Sequence, residues 1–426
     1  MDFPESLEYL LSLGNEVSAM KLGLENIGKL LTVLGNPQNN YLKVQVAGTN
    51  GKGSVCAFLD AICISAGIKT GLYTSPHLVS ITERIKIGGN DITEEDFARQ
   101  ATLVRNRAEK LVDEGNLETV PTFFEQVTAI ALNYFAEQKV DLAILETGLG
   151  GRFDATTAAN AEIAAITRID YDHQNILGNS LAEIATEKAA VIHEGSKVVI
   201  GEQNEEAMRI VLKRCTESGI EPTLASKVST NCCSGWFKLS TERGSYKITD
   251  LGLKGRHQIE NAKVAILLSE TLQENFAITA GDIVKGLETA KHAGRLEFHG
   301  RFLFDGAHNI GGSKALREYL DEFIHQPITM VFGTMRDKDI SEIAAVLFPK
   351  AKNLILTKPE NTRSVSPNDL MKFVPEDNTA GNIYIAETVG DAIDNALTIS
   401  SKDDLICVTG SLYLVGEAKK YLGSQI

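Results

Sequence analysis

The sequence lacks a basic surplus, a paired-cysteine motif and a long apolar run, and each absence removes a class of protein. Lysine and arginine number 42 against 56 aspartates and glutamates, a net charge of -14. Nonspecific nucleic-acid binding needs a basic surface, so no nucleic-acid partner is expected. A locally basic site for an acidic ligand remains open. The six cysteines, Cys56, Cys63, Cys215, Cys232, Cys233 and Cys407, form no CxxC pair and have no zinc-ligand spacing. Cys56 and Cys63 fall in a helical pattern as small apolar residues. Adjacent Cys232 and Cys233 read either as a redox pair or as ordinary thiols. Free thiols point to the reducing cytoplasm. No apolar run approaches the roughly 20 residues that span a bilayer, so no membrane partner is expected. The opening MDFPESLEYLLSLG is acidic, reads as a capped helix, and has no basic signal-peptide segment. Internal repeats and low-complexity tracts are absent as well.

What is present is an alternation. The 426 residues exceed one ordinary hydrophobic core and predict two or three domains. Strand-like runs at 43–46, 70–73, 142–145, 163–167 and 198–200 alternate with helical patterns such as 54–65, 123–137 and 181–192. That rhythm predicts a parallel sheet covered by helices. Residues 222–256 differ: short polar strand-like pieces around Trp236 predict a small antiparallel excursion, followed by a helix over 257–272. A second α/β series starts near Arg295, with strands at 302–304, 329–332, 353–356, 383–385 and 404–409. The predicted fold is therefore α/β. A P-loop-type parallel-sheet domain occupies 1–294, and a smaller Rossmann-like domain occupies 295–426.

The loop AGTNGKGS, 47–54, follows the apolar Val44-Gln45-Val46 and opens a helix. The usual phosphate loop is GxxxxGK[ST]. Here the order is Gly48-x-x-Gly51-Lys52-Gly53-Ser54, shorter and with an extra glycine. Glycines let backbone N–H groups turn toward an anion, the helix presents its positive end, and Lys52 adds a point charge. A second glycine-rich run, LETGLGGRFDAT, covers 145–156. Glu146 at its strand end reads as a carboxylate facing Mg²⁺ or as an ordinary loop acid. Asp172-His173 lies just past another strand, in the crevice where α/β ligands bind. Lys188, on an apolar helix, reads either as a snorkelling lysine or as a buried, modified one.

These segments together resemble the folylpolyglutamate synthase/dihydrofolate synthase family of the Mur ligase superfamily. The resemblance runs over nearly the whole chain. It includes Gly23-Leu-Glu-Asn-Ile27, AGTNGKGS, Tyr73-Thr-Ser-Pro-His-Leu78, Thr82-Glu-Arg84, Thr122-Phe-Phe-Glu125, LETGLGGRFDAT and Asp172-His173. It continues through Glu187-Lys188, Arg256-His-Gln-x-x-Asn-Ala262, Gly294-Arg295, Asp305-Gly-Ala-His-Asn309 and Gly410-Ser-Leu-Tyr413. It implies an ADP-forming acid–amino-acid ligase. ATP phosphorylates a carboxylate of a folate or dihydropteroate, and the amine of L-glutamate displaces phosphate. Positioning and charge neutralisation would carry the catalysis.

The resemblance also implies roles. Asn50, Gly51, Lys52, Gly53 and Ser54 would wrap the ATP phosphates. Asn261, Arg295 and Asp305 would make further ATP contacts, and Ser75, Glu146 and His173 would hold Mg²⁺. Lys188 would be carbamylated. His308 and Ser411 would serve the incoming glutamate, and Thr122, Phe123 and Phe153 the pterin side. Lys52, Lys188 and His308 would be the catalytic set of a monomeric enzyme. Departures fall at Thr157, where the family commonly has Asn, at Ala190, where it has Gly, and at Ala293, where it often has Pro. The His77 form of the SPHL segment resembles bifunctional bacterial members. It implies both synthase reactions, with the segment around Lys21 and the Thr122–Phe123 loop as a movable pocket wall. Another Mur-type ligase is the nearest rival. A nucleotide switch is disfavoured because no Asn-Lys-x-Asp motif is present, and a motor ATPase has no need of the DGAHN segment.

Overall fold

Strands that are apolar on both faces must be covered on both faces, which is the setting of a parallel sheet between helices. The computed structural model describes residues 1–14, 23–374 and 381–423 and has this form. The first sheet contains β1 (Leu42–Ala47), β2 (Thr70–Tyr73), β3 (Ile85–Ile87), β4 (Asn90–Asp91), β5 (Leu142–Glu146), β6 (Ile163–Ile166), β7 (Lys197–Ile200) and β8 (Thr223–Leu224). Their order is β4-β3-β2-β5-β1-β6-β7-β8. Only the β2–β3 and β3–β4 pairs are antiparallel. β1 sits between β5 and β6, with Val46 level with Glu146 on one side and with Ala165 on the other. The loops leaving these three strands therefore share one edge of the sheet.

The antiparallel excursion is present as β9 (Ser229–Cys233), β10 (Trp236–Ser240) and β11 (Ser245–Ile248). Cys232 and Cys233 are exposed on β9, and the other four cysteines are buried; all six are free. Successive side chains on a strand point to opposite faces, which argues against a bond between the adjacent pair. The second large sheet holds β12 (Glu297–His299), β13 (Phe302–Asp305), β14 (Ile328–Phe332), β15 (Asn353–Leu356), β16 (Asn382–Ile385) and β17 (Leu405–Thr409). Its order is β12-β13-β17-β14-β15-β16, parallel except for β12.

The helix Lys52–Ser65 is buried on nearly every side, as expected for one apolar all round. Gly286 on the helix Ala280–Thr289 lets the two approach closely: an added Cβ would lie 2.4 Å from Ile62 Cα. The pattern over 181–192 predicts one helix, but the helix ends at Ala189. Val191 and Ile192 continue the apolar run into the core, while their N–H groups bond three residues back, to Lys188 and Ala189, in a tightening turn. The hairpin β3–β4 and the helix Glu94–Asp113 are further elements outside the predicted set. No helix among the described residues is long and apolar enough to cross a membrane.

The two large sheets are tied together by contacts of several kinds. Leu78, from the loop after β2, packs into the apolar cluster of the second sheet. Gly416 accepts it: a Cβ there would lie 1.9 Å from the Leu78 carbonyl oxygen. Arg256 pairs with Glu322 at 2.5 Å, and the Asn309 amide donates to Asn50 Oδ1 at 3.0 Å.

Candidate active site between the two sheets

The phosphate-type loop is held from behind by hydrogen bonds. Gly51 has a φ of +91°, and a Cβ on it would lie 2.2 Å from Asn261 Oδ1. Asn261 Nδ2 donates to Gln258 Oε1 at 2.8 Å, and Gln258 Nε2 donates to Ser54 Oγ at 3.2 Å. The helix His257–Leu272 is thereby laced to the loop. The extra glycine, Gly53, has its own cause: a Cβ would lie 2.6 Å from His292 Nε2.

Two amines converge on one carbonyl. Lys52 Nζ donates to Gly48 O at 3.1 Å and to Thr49 O at 3.2 Å, and Lys188 Nζ donates to Gly48 O at 2.8 Å. Lys188 is 4% exposed. Burial, with Lys52 beside it, lowers its pKa to about 7. Arg152 binds Glu187, the neighbour of Lys188 in sequence.

Glu146 ends β5 and is buried. Burial raises its pKa, against the pull of Lys52, the Ser75 N–H and Arg295. The Ser75 N–H donates to Glu146 Oε2 at 3.2 Å. A carboxylate and a serine hydroxyl are hard oxygen donors of the kind Mg²⁺ takes beside phosphates. His173 stands in a different group. It has a φ of +50°, and its Nε2 lies 3.4 Å from Lys338 Nζ and 3.8 Å from Asp172. Burial lowers its pKa to about 4, so the ring is neutral and able to ligate. Among the described residues, no three His, Cys, Asp or Glu side chains form a metal cluster by themselves. Ser75 and Glu146 offer neighbouring oxygen donors, and His173 a neutral imidazole beside Asp172, for a metal whose remaining ligands would come from phosphate and water.

Asp172 links the two halves of the molecule. Lys338, from the second half, lies 2.6 Å from its Oδ1, and His308 Nε2 lies 3.8 Å from its Oδ2. Burial works to raise its pKa, but Lys338, His173 and His308 outweigh that and hold it far below the usual carboxylate range. His308 Nδ1 lies 2.7 Å from the Gly306 carbonyl, an acceptor, so Nδ1 carries the proton and Nε2 keeps a free lone pair. Asp305 accepts the N–H groups of Leu296 at 2.9 Å and Ala307 at 3.0 Å. Burial raises its pKa against Arg295. Ser411 Oγ accepts from Leu414 N at 3.1 Å, so this hydroxyl also caps the last helix.

Every residue to which the resemblance gives an ATP, metal, glutamate or pterin role lines one cavity of about 450 Å³ except Phe123; His77 lies outside it, with Arg84 Nε donating to its Nδ1 at 2.8 Å. Phe123 is 4% exposed, turned into the core, with the Arg84 guanidinium 5.4 Å from its ring centroid. Its neighbour Phe124 lines the cavity instead, and the expectation for Phe123 is corrected accordingly. Consecutive helical residues point about 100° apart, so only one of the pair can face the cavity. The movable-wall segment around Lys21 lies outside the described residues. Thr122 caps the helix Phe123–Glu137, and its N–H and hydroxyl both donate to Glu125 Oε2 at 2.8 Å. Glu125 Oε1 is buried without a partner. Glu125, Asp172, Lys338 and Arg363 were not singled out from sequence. Glu125 and Asp172 lay inside quoted segments, whereas Lys338 and Arg363 carried no motif signal.

Sheet order and loop chemistry define an α/β protein with a phosphate-type loop facing a cavity between its two large sheets. The Mur ligase middle domain matches residues 46–269, and the Mur ligase glutamate ligase domain matches residues 294–412. A dihydrofolate synthase/folylpolyglutamate synthase of Bacillus subtilis is 33% identical over 416 residues, 95% of each chain. A Halobacterium salinarum relative named as a probable bifunctional folylpolyglutamate synthase/dihydropteroate synthase is 33% identical over 430 residues. The alignment covers 98% of this chain, which spans about half (51%) of that relative's length. A solved Mycobacterium tuberculosis folylpolyglutamate synthase complexed with ADP superposes with a TM-score of 0.90 at 29% identity, over 99% of both chains. The chain belongs to the Mur ligase family, in its folylpolyglutamate synthase and dihydrofolate synthase branch.

Proposed function

We propose that this protein is an ATP-dependent ligase that joins L-glutamate to folates and to dihydropteroate through an acyl phosphate. The observation that carries the reading is a phosphate-type loop and the DGAHN segment of the other sheet facing one cavity. The far end of that cavity offers Phe124, Phe153 and the unpartnered Glu125 oxygen. Aromatic faces and a carboxylate acceptor suit a flat ring with N–H donors. The relatives' names and the ADP-bound structure support the same reading.

In this reading the division falls at 294 and 295, between an ATP-binding part and a C-terminal part. Residues 50–54 wrap the phosphates, with Lys52 nearest the transferred group, and Asn261, Arg295 and Asp305 hold the rest of ATP. Ser75, Glu146 and His173 would hold Mg²⁺, which neutralises phosphate charge when bound. Thr122, Phe153 and Phe124 place the folate carboxylate toward the loop. Lys188 is carbamylated, because a buried amine with its pKa near neutrality is nucleophilic toward carbon dioxide. His308 Nε2 is a proton acceptor for the attacking amine, and Ser411 lies beside it in the same wall. In this reading the enzyme works as a monomer in the cytoplasm.

The test is a substrate panel with purified protein, read by product mass. ATP, L-glutamate and dihydropteroate should yield dihydrofolate, and tetrahydrofolate should gain a glutamate. Phosphate release should need both acceptor and amino acid. Release with ATP alone, or extension of neither acceptor, would remove the ligase reading. Tail extension without dihydrofolate formation would leave the narrower activity.

A further inference from the structure

Asp170 lines the cavity but has no role in the reading above. It sits on the loop that leaves β6, and that loop is bonded closely to the phosphate loop. Thr49 N and Asn50 N donate to Arg168 O at 2.8 and 3.1 Å. Thr49 Oγ1 donates to Asp170 O at 3.0 Å and accepts from Asp170 N at 3.1 Å. A further bond joins side chains: Asn50 Nδ2 donates to Asp170 Oδ2 at 2.9 Å. The other Asp170 oxygen accepts from Arg168 Nε at 3.1 Å.

A primary amide has a donor end and an acceptor end, so a neighbour that can only accept fixes which way it faces. A carboxylate is such a neighbour. With Nδ2 turned to Asp170, Asn50 presents Oδ1 to the second sheet. There Asn309 is fixed in the complementary sense. Its Oδ1 accepts from Gly312 N at 2.8 Å and caps the helix Ile310–Phe323, which leaves Nδ2 as the outward end. Asn309 Nδ2 donates to Asn50 Oδ1 at 3.0 Å. The bridge between the two walls thus runs donor to acceptor because Asp170 stands behind one amide and a helix cap behind the other. With Asn50 turned over, two NH2 groups would face each other across it.

The start of that helix has been left open for the same pair. Gly311 is its second residue, and glycine is a weak helix former. A Cβ on Gly311 would lie 2.7 Å from Asn50 Nδ2 and 3.0 Å from Asp170 Oδ2. The missing side chain lets the amide and the carboxylate press against the first turn. It also brings a negative charge to the positive end of a 14-residue helix.

We propose that Asp170 is a positioning residue for ligation: it orients the Asn50 amide, and with the room left by Gly311 it docks the phosphate loop onto the second sheet in one register. Asp170 acts through Asn50 rather than on the reacting atoms. The proposal rests on the ligase reading above and adds to it a residue that aligns the two walls.

The experiment compares Asp170→Leu, Asp170→Asn, Gly311→Ala and the double variant Asp170→Leu/Gly311→Ala in the full chain. Asp170→Leu removes the acceptor. It should lower kcat for ligation about 10- to 100-fold, the range for losing a hydrogen bond to a charged group. Its Kd for the non-hydrolysable analogue AMPPNP should stay within about threefold of the parent's, because the phosphate loop itself is intact. Asp170→Asn keeps an oxygen that can accept from Asn50 and should recover much of the turnover. Gly311→Ala should show the same split between kcat and nucleotide affinity. Both changes act on one contact, so their losses should not multiply, and the double variant should fall within about twofold of the worse single one. Normal kcat in Asp170→Leu would overturn the proposal. So would a loss of AMPPNP affinity equal to the loss in kcat, which would make Asp170 a brace of its own wall only, and so would losses that multiply. If Asp170→Leu does not fold, Gly311→Ala decides, since alanine suits a helix, and normal kcat there overturns the proposal. Failure of the unaltered protein to ligate would instead break the ligase reading beneath it, and is seen before any variant is compared.

Discussion

On the phosphate-loop wall of the cavity, reactive groups are fixed by hydrogen bonds to backbone and neighbours. Lys52 and Lys188 share the Gly48 carbonyl, and Asn261 and Gln258 brace the loop. On the facing wall some charged pairs stand at looser distances, with His308 3.8 Å from Asp172 and Asp337 3.6 Å from both Lys338 and Arg363. The first wall is a rigid cradle for an anion of fixed geometry. The second holds spare donors and joins the first through contacts that include Asn309 to Asn50, Lys338 to Asp172, Arg256 to Glu322, and Leu78 against Gly416. The difference fits a division of labour in which one wall grips a nucleotide and the other delivers a second substrate.

Breaking the rigid wall should have the largest effect. Glu146→Gln removes its buried carboxylate while keeping the shape, and should lower ligation by at least about 1,000-fold. Circular dichroism and melting should stay near those of the parent. Near-normal turnover by Glu146→Gln would take Glu146 out of the site. Lys188→Ala should cost about 100- to 1,000-fold in turnover, with partial recovery on adding small carboxylates if a carbamate is what is lost. Intact-mass or carbon-13 carbon dioxide labelling that finds only a bare amine would reject the modification.

The joint between the walls gives a sharper test. Gly416→Ala puts a methyl group against the Leu78 carbonyl and must push the loop carrying Ser75 away from the second sheet. Misplacement of about 1 Å predicts a loss near 100-fold in kcat with a modest change in melting temperature. Full activity in this variant would mean that the walls need not meet at Leu78.

The smallest effect concerns stability. Asp60 lies behind the phosphate loop in the helix Lys52–Ser65, accepts a hydrogen bond from Thr70, and is 6% exposed. Burial raises its pKa from 3.8 to about 6. An acid raised in the folded state contributes stability below its unfolded pKa, and that contribution is lost as pH rises from about 4 through about 6. Asp60→Asn should therefore stabilise the protein at pH 7.5, by on the order of 2 kcal/mol. At pH 4 it should do little. Thermal melts at the two pH values that show equal shifts would refute the ionisation argument.

Much of this was legible in the chain because local constraints wrote it. The strands and their alternation with helices follow from two-sided burial, and the glycine loop follows from backbone geometry at Gly51. Most residues given a role at the site fell inside contiguous motifs, whereas the cavity-lining Lys338 and Arg363 did not. The miss at Phe123 came from a single helical step: both phenylalanines suit a pocket, and only packing against Arg84 decides which one is core. The end of the helix at Ala189 was hidden for a similar reason, since Val191 and Ile192 are apolar whether the chain turns or continues.

What the sequence by itself determined was the kind of protein: alternating α/β order, an anion-binding turn, and the family to which the motifs belong. Tertiary structure alone decided the company each charge keeps. Lys338 is 166 residues from Asp172, and Arg363 is 50 from Tyr413, yet each pair meets at the cavity. A charge states its sign in the sequence, but its pKa and its spare hydrogen bonds depend on burial and on partners brought by the fold. That is why the phosphate loop could be read directly, while the cations of the opposite wall became visible only once the two sheets stood face to face.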